Sequence, residues 1–146
     1  MISMRTIAAL FLSLTALTLF TQAADFPKGS PPFVSSYRQA LSKAEKEGKP
    51  VVLVFSAAWC PPCQQMKKTV YPSAEVAALH DKFVWAYLDV DESGNAKTAE
   101  KYQVNGIPHI EFLSASGKSL GRQVGGVSSD RFADMLKGIA GKASAK

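Results

Sequence analysis

The stretch "FSAAWCPPCQQM" spans residues 55–66 and contains both cysteines of the 146-residue chain, Cys60 and Cys63. Directly before it, "VVLVF" (residues 51–55) is a continuous run of β-branched and aromatic residues, which predicts a strand buried on both faces. The residues that follow, "QQMKKTV" (64–70), predict a helix. The two thiols therefore lie where a buried strand passes into a helix, and this junction decides the fold.

Helices and strands alternate on either side of this junction. Before it, apolar residues recur at helical spacing from Ser35 onward, and Gly48 with Pro50 is expected to end that helix. After it, "FVWAYLDV" (83–90) predicts a second strand, with a short helical segment capped by Ser73 between the two strands. Strands that are joined through a helix commonly pair in parallel, so these two strands predict a parallel pair.

The last third of the chain adds a short polar helix (95–104), a β-hairpin and a final helix. "HIEFL" (109–113) and "SLGRQV" (119–124) predict strands on either side of the turn "SASGK". Ser128 or Ser129 is expected to cap the final helix, which carries its apolar residues on one face: Phe132, Met135, Leu136 and Ile139. This order predicts an α/β fold whose mixed central sheet has a parallel pair and antiparallel edge strands.

Residues 1–24 have the composition of a cleaved signal peptide. One basic residue, Arg5, precedes an apolar run (7–20) and small residues near Ala23 and Ala24, after either of which cleavage is expected. The alternative is an uncleaved membrane anchor, although the run is short and contains threonines and a serine. Residues 25–33 are then a Pro-rich lead-in, 34–141 a single domain and 142–146 a flexible tail. Export would place the cysteines where disulfides persist.

The net charge of +5 does not by itself indicate a nucleic-acid partner. Lysines are scattered over the chain, and no basic stripe with interleaved aromatic residues is present. Such a distribution favours a solvated surface over a nucleic-acid interface.

The cysteine pair has several possible roles. Structural zinc needs four ligands, and the available Cys60, Cys63, His80 and His109 do not have zinc-finger spacing. Covalent haem requires a histidine directly after the second cysteine, where this chain has Gln64. A purely structural disulfide would close a four-residue loop and contribute only about 2 kcal/mol. Each of these roles is disfavoured, and a redox couple explains the spacing better.

A redox role follows from the position of Cys60 at the start of a helix. Unpaired N–H groups and the helix dipole stabilise a thiolate there. Cys63 lies nearly one turn later and can attack a mixed disulfide formed at Cys60. Pro61 falls in the first turn, where its missing N–H costs little, and Pro62 adds stiffness and removes another donor.

The motifs "WCPPC" (59–63) and "YQVNGIP" (102–108), together with the final amphipathic helix, resemble the thioredoxin superfamily over about residues 34–140. Residues 48–76 are especially similar to the carboxy-terminal, thioredoxin-like domain of the bacterial transmembrane thiol:disulfide interchange proteins. The resemblance implies a three-layer α/β fold with helices on both sides of a mixed sheet. It also implies a thiol–disulfide oxidoreductase in the periplasm, active as a monomer and without metal or cofactor apart from its redox-active disulfide.

Roles for individual residues also follow from the resemblance. Cys60 would be the nucleophile, Cys63 the resolving thiol, and Trp59 a shield for the site. Pro108 would be the cis-proline beside the dithiol, which lets the backbone of Ile107 pair with substrate as an added strand. Pro61 and Pro62 would support the site.

Partners and direction are further implications of the resemblance. The partners would be protein disulfides or dithiols and an external electron donor, such as a membrane thiol–disulfide carrier. Reduction is favoured over oxidation, because Pro62 stands where strongly oxidising relatives carry a histidine. The alternatives are a peptide-binding or holdase module on the same scaffold and a metal-handling dithiol protein.

The chain departs from the family at the acid–lysine pair that usually lies near the resolving cysteine. Val54 stands in place of the aspartate and Tyr87 in place of the lysine. Glu111 is one candidate for the missing proton acceptor, although a position on a strand face open to solvent is the favoured interpretation. Similarly, His109 could tune the thiolate, but a partly exposed residue without such a role is favoured.

Overall fold

The computed structural model describes residues 25–145. Its four strands form one sheet in the order β2-β1-β3-β4. β1 is parallel to β2 and antiparallel to β3, which in turn pairs antiparallel with β4. This confirms the predicted mixed sheet, except that β3 lies inside the sheet and not at an edge. The strands are β1 Val51–Ser56, β2 Val84–Asp89, β3 His109–Leu113 and β4 Ser119–Val124.

Within the described part of the chain, five helices flank the sheet and complete the predicted three-layer α/β fold. They are α1 Tyr37–Glu47, α2 Pro61–Gln65, α3 Ala74–Ala77, α4 Ala96–Lys101 and α5 Ser129–Ser144. A π-helical segment, Met66–Val70, continues α2, and short 3₁₀ turns lie at His80–Lys82 and Ser93–Asn95. Within residues 25–145, no helix is both long and apolar enough to cross a membrane.

The helix ends follow from local sequence. Ser36, Ser73 and Ser128 each accept a hydrogen bond from the backbone N–H three residues later, and so cap α1, α3 and α5. Gly48 ends α1 in the left-handed conformation (φ 65°), which glycine adopts without a steric penalty. The caps predicted at Ser73 and Gly48 are confirmed, and of the two candidates for α5 the cap is Ser128.

A hydrophobic core lies on each face of the sheet, because successive strand residues point to opposite sides. On one face, Val52 and Val54 pack with side chains of the π-helical segment, of α3 and of α5. On the other, Val51, Leu53 and Phe55 pack with α1 and with the region around α4. All six residues of β1 are buried, which confirms the strand predicted to be covered on both faces.

The lead-in packs back onto the domain. Val34 forms a parallel bridge with Ala86 at the outer edge of β2. The ring centroids of Phe26 and Phe33 lie 5.0 and 5.3 Å from that of Tyr87. At the other end, α5 continues to Ser144, so the predicted tail boundary at 141 falls within the helix. The predicted signal peptide or anchor, residues 1–24, lies outside the described residues.

Candidate active site

The two cysteines are joined by a disulfide at the start of α2. Cys60 is the N-cap of this helix and Cys63 lies within it, with 5.2 Å between their Cα atoms. The backbone N–H of Cys63 donates a hydrogen bond of 3.3 Å to the Cys60 sulfur. After reduction, the same N–H group and the helix dipole would stabilise a thiolate at Cys60.

The disulfide is almost completely covered. Cys60 is 3% exposed and Cys63 is 1% exposed, and both pack with Ala57, Val90 and Ile107. The Cys60 sulfur lies 3.7 Å from the carbonyl oxygen of Ile107. The loop that precedes β3 is therefore in direct contact with the sulfur predicted to be the nucleophile.

This loop carries the proline predicted to lie beside the dithiol. The peptide bond between Ile107 and Pro108 is cis. The Pro108 carbonyl accepts a 2.8 Å hydrogen bond from the backbone N–H of Gly125, the first residue after β4. Gly125 has a φ of 85°, which favours glycine. The loops before β3 and after β4 are thereby held together next to Cys60.

Trp59 lies on the exposed side of the site. Its side chain is 67% exposed, and its indole N–H donates a 2.7 Å hydrogen bond to a carboxylate oxygen of Asp91 in the loop after β2. Sequence reasoning missed Asp91, because nothing in its spacing from Trp59 indicates a contact across 32 residues. Pro61 and Pro62 are exposed as well.

A groove runs beside the dithiol between the helical segment 61–70 and the loop that joins β4 to α5. Its volume is about 380 Å³. Its lining combines apolar side chains, among them Pro62, Met66 and Val127, with polar ones, among them Gln65 and Thr69. The groove offers a surface of mixed polarity within reach of the exposed proline of the dithiol motif.

A family model described as a thioredoxin-like domain matches residues 37–140, which include the dithiol and Pro108. The chain belongs to the thioredoxin-like family.

Several known proteins are similar to this thioredoxin-like domain. The chloroplastic thioredoxin-like protein HCF164 of Oryza sativa subsp. japonica is 32% identical over 104 residues, or 71% of this chain and 37% of that protein. The thiol:disulfide interchange protein DsbD of Pseudoalteromonas atlantica is 27% identical over 110 residues, or 73% of this chain and 19% of that protein. The chain therefore spans well under half the length of either curated relative.

Solved structures of thioredoxin-like proteins share the fold. A thioredoxin from Thermus thermophilus superposes with a TM-score of 0.69 at 30% identity and covers 76% of this chain and 88% of that one. The C-terminal domain of Neisseria meningitidis DsbD in its oxidised form gives 0.63 at 25% identity, with 73% of this chain and 97% of that one covered. Both structures support the layered arrangement around the mixed sheet.

The four side chains considered for zinc do not come together in this thioredoxin-like domain. His80 bonds to the Tyr71 carbonyl at 2.8 Å and packs against Trp85. His109 instead bonds to Glu111. Within residues 25–145, no group of three or more histidine, cysteine or acidic side chains is placed to hold a metal ion.

The exposure predicted for His109 and Glu111 is wrong, because both side chains are buried. His109 is 1% exposed and Glu111 is 0% exposed. The Glu111 carboxylate lies 3.0 Å from His109 Nε2 and 3.6 Å from Arg122 Nε, and it accepts a hydrogen bond from Ser119. The physical reason is that Glu111 and His109 are in register with Leu53 and Phe55, so their side chains point to the sheet face that α1 and the region around α4 cover.

Replacement of Glu111 is expected to affect stability more than catalysis. Its carboxylate is occupied by partners on β3 and β4, and neither cysteine sulfur is bonded to it among the described residues. Since hydrogen bonds to buried charged groups contribute about 1.5–3 kcal/mol, Glu111→Gln should lower the free energy of unfolding by about 2 kcal/mol. Urea denaturation would measure this loss, and the pH profile of dithiol exchange should remain unchanged.

Glu45→Gln is the matched control, because Glu45 lies on the exposed face of α1. We expect it to change the free energy of unfolding by less than about 0.5 kcal/mol. A shifted exchange profile in Glu111→Gln, with none in the control, would instead make Glu111 the proton acceptor.

A hydrogen-bonded group of polar side chains lies beside Val54, where the family usually has its acid–lysine pair. Val54 is buried in the core and pairs in register with Tyr87. The Tyr87 hydroxyl is hydrogen-bonded to that of Ser56 and interacts with Gln64. Burial raises the pKa of Tyr87, and the negative charge of Asp89 raises it further. The interactions of its hydroxyl with Ser56 and Gln64 lower the pKa and offset part of this effect. Sequence reasoning placed Tyr87 here but missed Ser56 and Gln64.

Proposed function

We propose that this protein is an exported thiol–disulfide oxidoreductase that reduces protein disulfides with the Cys60–Cys63 pair. One observation carries the proposal: the pair forms a disulfide at the start of α2, with the Cys63 N–H bonded to the Cys60 sulfur. A thiolate stabilised in this way is the form of cysteine that attacks a disulfide.

In the reduced protein, the Cys60 thiolate attacks one sulfur of a substrate disulfide and expels the other as a thiolate, which takes a proton from solvent. The product is a mixed disulfide between Cys60 and the substrate. Cys63 then gives up its proton and attacks the Cys60 sulfur, which releases the second substrate thiol. The substrate gains two electrons and the protein is left as the Cys60–Cys63 disulfide found in the structure.

Substrate binding would use the loop before β3 and the adjacent groove. The Ile107 carbonyl lies 3.7 Å from the Cys60 sulfur, so a substrate strand paired with the Ile107 backbone would lie against the nucleophile. Side chains that flank the substrate cysteine would occupy the groove of about 380 Å³ beside Pro62. This mode requires an extended substrate segment around its cysteine.

The direction and location of the reaction rest on separate features. Pro62 supports reduction, because it adds no positive charge beside the Cys60 thiolate. The composition of residues 1–24 supports export to the periplasm. Similarity to a thiol:disulfide interchange protein supports a thiol-based electron donor, such as a membrane carrier, that returns the disulfide to the dithiol state.

Reduction of insulin tests this function. With dithiothreitol as donor, we expect the protein at micromolar concentration to accelerate precipitation of the insulin B chain well beyond the rate with dithiothreitol alone. A peptide-binding or holdase protein would delay precipitation, and a metal-handling protein would leave the rate unchanged while binding one metal ion in its reduced form. Either of those results would contradict the proposal.

A further inference from the structure

A pair of hydrogen-bonded hydroxyl groups, one on buried Ser56 and one on half-buried Tyr87, lies directly behind the dithiol loop. Ser56, the last residue of β1, is 1% exposed and is one of three buried polar or charged residues in the part of the chain that is described. Its hydroxyl is hydrogen-bonded to that of Tyr87 on β2. Since a buried hydroxyl without a partner is costly, each of these groups fixes the other.

Gln64 extends this pair to the backbone that carries Cys60. Its side-chain amide donates a 2.9 Å hydrogen bond to the Ala57 carbonyl and also interacts with the Tyr87 hydroxyl. The same Ala57 carbonyl accepts the backbone N–H of Cys60 at 3.3 Å. Gln64 also donates its own backbone N–H to the Cys60 carbonyl at 3.0 Å. Hydrogen bonds therefore join Ser56 to Tyr87 and Gln64 to the backbone around Cys60, and the two groups meet where Gln64 interacts with the Tyr87 hydroxyl.

Aromatic residues of the lead-in pack against Tyr87, where these two groups meet. Phe26 meets the Tyr87 ring edge-on at 5.0 Å, and Phe33 lies 5.3 Å from it. The Lys67 ammonium lies over the outer side of the Phe26 ring, 4.7 Å from its centroid. These contacts leave Tyr87 half-buried and limit the access of water to its hydrogen bond with Ser56.

We propose that Tyr87 and Gln64 are positioning residues for Cys60, an inference that rests on the proposed function of the dithiol. By holding the Ala57 carbonyl, they fix the loop that enters α2. The fixed loop keeps the Cys63 N–H aimed at the Cys60 sulfur, where it stabilises a thiolate by a charge-assisted hydrogen bond. Neutral hydrogen-bonding side chains would thus support the dithiol in a protein that has Val54 and Tyr87 in place of an acid–lysine pair.

Tyr87→Phe tests the inference, because it removes one hydroxyl and keeps the ring that packs against Phe26 and Phe33. The readout is the acid dissociation constant of the Cys60 thiol, taken from the pH profile of iodoacetamide alkylation of the reduced full chain in a Cys63→Ala background. Loss of one of these hydrogen-bonding groups is expected to lower this constant about threefold to tenfold. Gln64→Met, which keeps the length of the side chain without its amide, should lower it by a similar factor.

Two further variants separate positioning from a general loss of packing. Tyr37→Phe removes a hydroxyl that bonds to Tyr102 at 2.8 Å on the other face of the sheet, and should change the Cys60 constant less than twofold. The double variant Tyr87→Phe with Gln64→Met should show no larger effect than the greater single one, because both disrupt the contact between Tyr87 and Gln64. Additive effects, or constants within twofold of the parent in both single variants, would overturn the inference.

Failure of this inference can be distinguished from failure of the proposed function, because alkylation uses no protein substrate. If the parent protein does not reduce insulin while Tyr87→Phe still lowers the Cys60 constant, the positioning role stands without the proposed reaction. If insulin is reduced and neither single variant changes the constant, only the positioning role is overturned.

Discussion

Cys60→Ser is expected to abolish insulin reduction, leaving the rate seen with dithiothreitol alone. The hydroxyl that replaces the thiol is not deprotonated near neutral pH and cannot form a disulfide, so no mixed disulfide forms. Serine also preserves the N-cap of α2, since its oxygen can accept the Cys63 N–H. The loss should therefore occur in a folded protein, which a thermal melt within a few degrees of the parent would verify.

Cys63→Ser is the matched partner of this variant and separates the roles of the two thiols. It should retain attack by Cys60 and lose release, so that a mixed disulfide with insulin accumulates and is visible on a non-reducing gel. Cys60→Ser should show no such adduct. Were the adduct to form in Cys60→Ser and not in Cys63→Ser, the assignment of nucleophile and resolving thiol would be reversed.

Trp85→Ala should have the largest effect on stability. Trp85 is 1% exposed on β2, packs against five aromatic rings, and donates its indole N–H to the His80 carbonyl at 3.1 Å. Truncation of a buried tryptophan to alanine costs about 3–5 kcal/mol. Because a domain of this size is stabilised by only about 5–15 kcal/mol, this loss would remove a large part of the free energy of unfolding. Urea denaturation followed by far-ultraviolet circular dichroism would measure this loss.

Trp59→Ala is the control, since the chain has two tryptophans with opposite environments. Trp59 is 67% exposed, so its replacement should lower the free energy of unfolding by less than about 1 kcal/mol. Insulin reduction should become slower, because the site loses an exposed contact surface. The two substitutions should therefore affect different measurements. Equal losses of stability in both variants would contradict the placement of Trp85 at the centre of the core.

Features that depend on residues close in sequence could be predicted. The buried strand β1, the cap at Gly48 and the position of the dithiol at the start of α2 all follow from short segments. In each case the pattern of apolar residues, a glycine or a cap fixes the local conformation before any distant contact is considered. The mixed sheet could be predicted because helices join β1 to β2, which favours a parallel pair, whereas a short turn joins β3 to β4, which favours an antiparallel pair.

Features that depend on the order of strands could not be predicted in the same way. Glu111 looks exposed when β3 is placed at an edge, but its register with Leu53 points its side chain to the sheet face that α1 and the region around α4 cover. Its partners Ser119 and Arg122 are on the next strand and carry no sequence signal that marks them as a pair. Only the register of the hairpin brings these side chains together.

The same limit applies to the polar side chains behind the dithiol. Ser56 and Tyr87 are 31 residues apart, and their contact depends on the parallel register between β1 and β2. The presence of Val54 and Tyr87 in place of the usual aspartate and lysine indicated that the residues near the resolving cysteine differ from those of the family. The contribution of Gln64 depends on the fold, because α2 brings its side chain to the Ala57 carbonyl at the end of β1.

The reduction potential of the Cys60–Cys63 couple tests the central claim most directly. Equilibration of the full chain with glutathione, or with a thioredoxin of known potential, would give it from the fractions of dithiol and disulfide. A protein that reduces disulfides through this pair should have a potential near about −270 mV. A value near about −120 mV, as for strong oxidants, would contradict the assignment of the protein as a reductase.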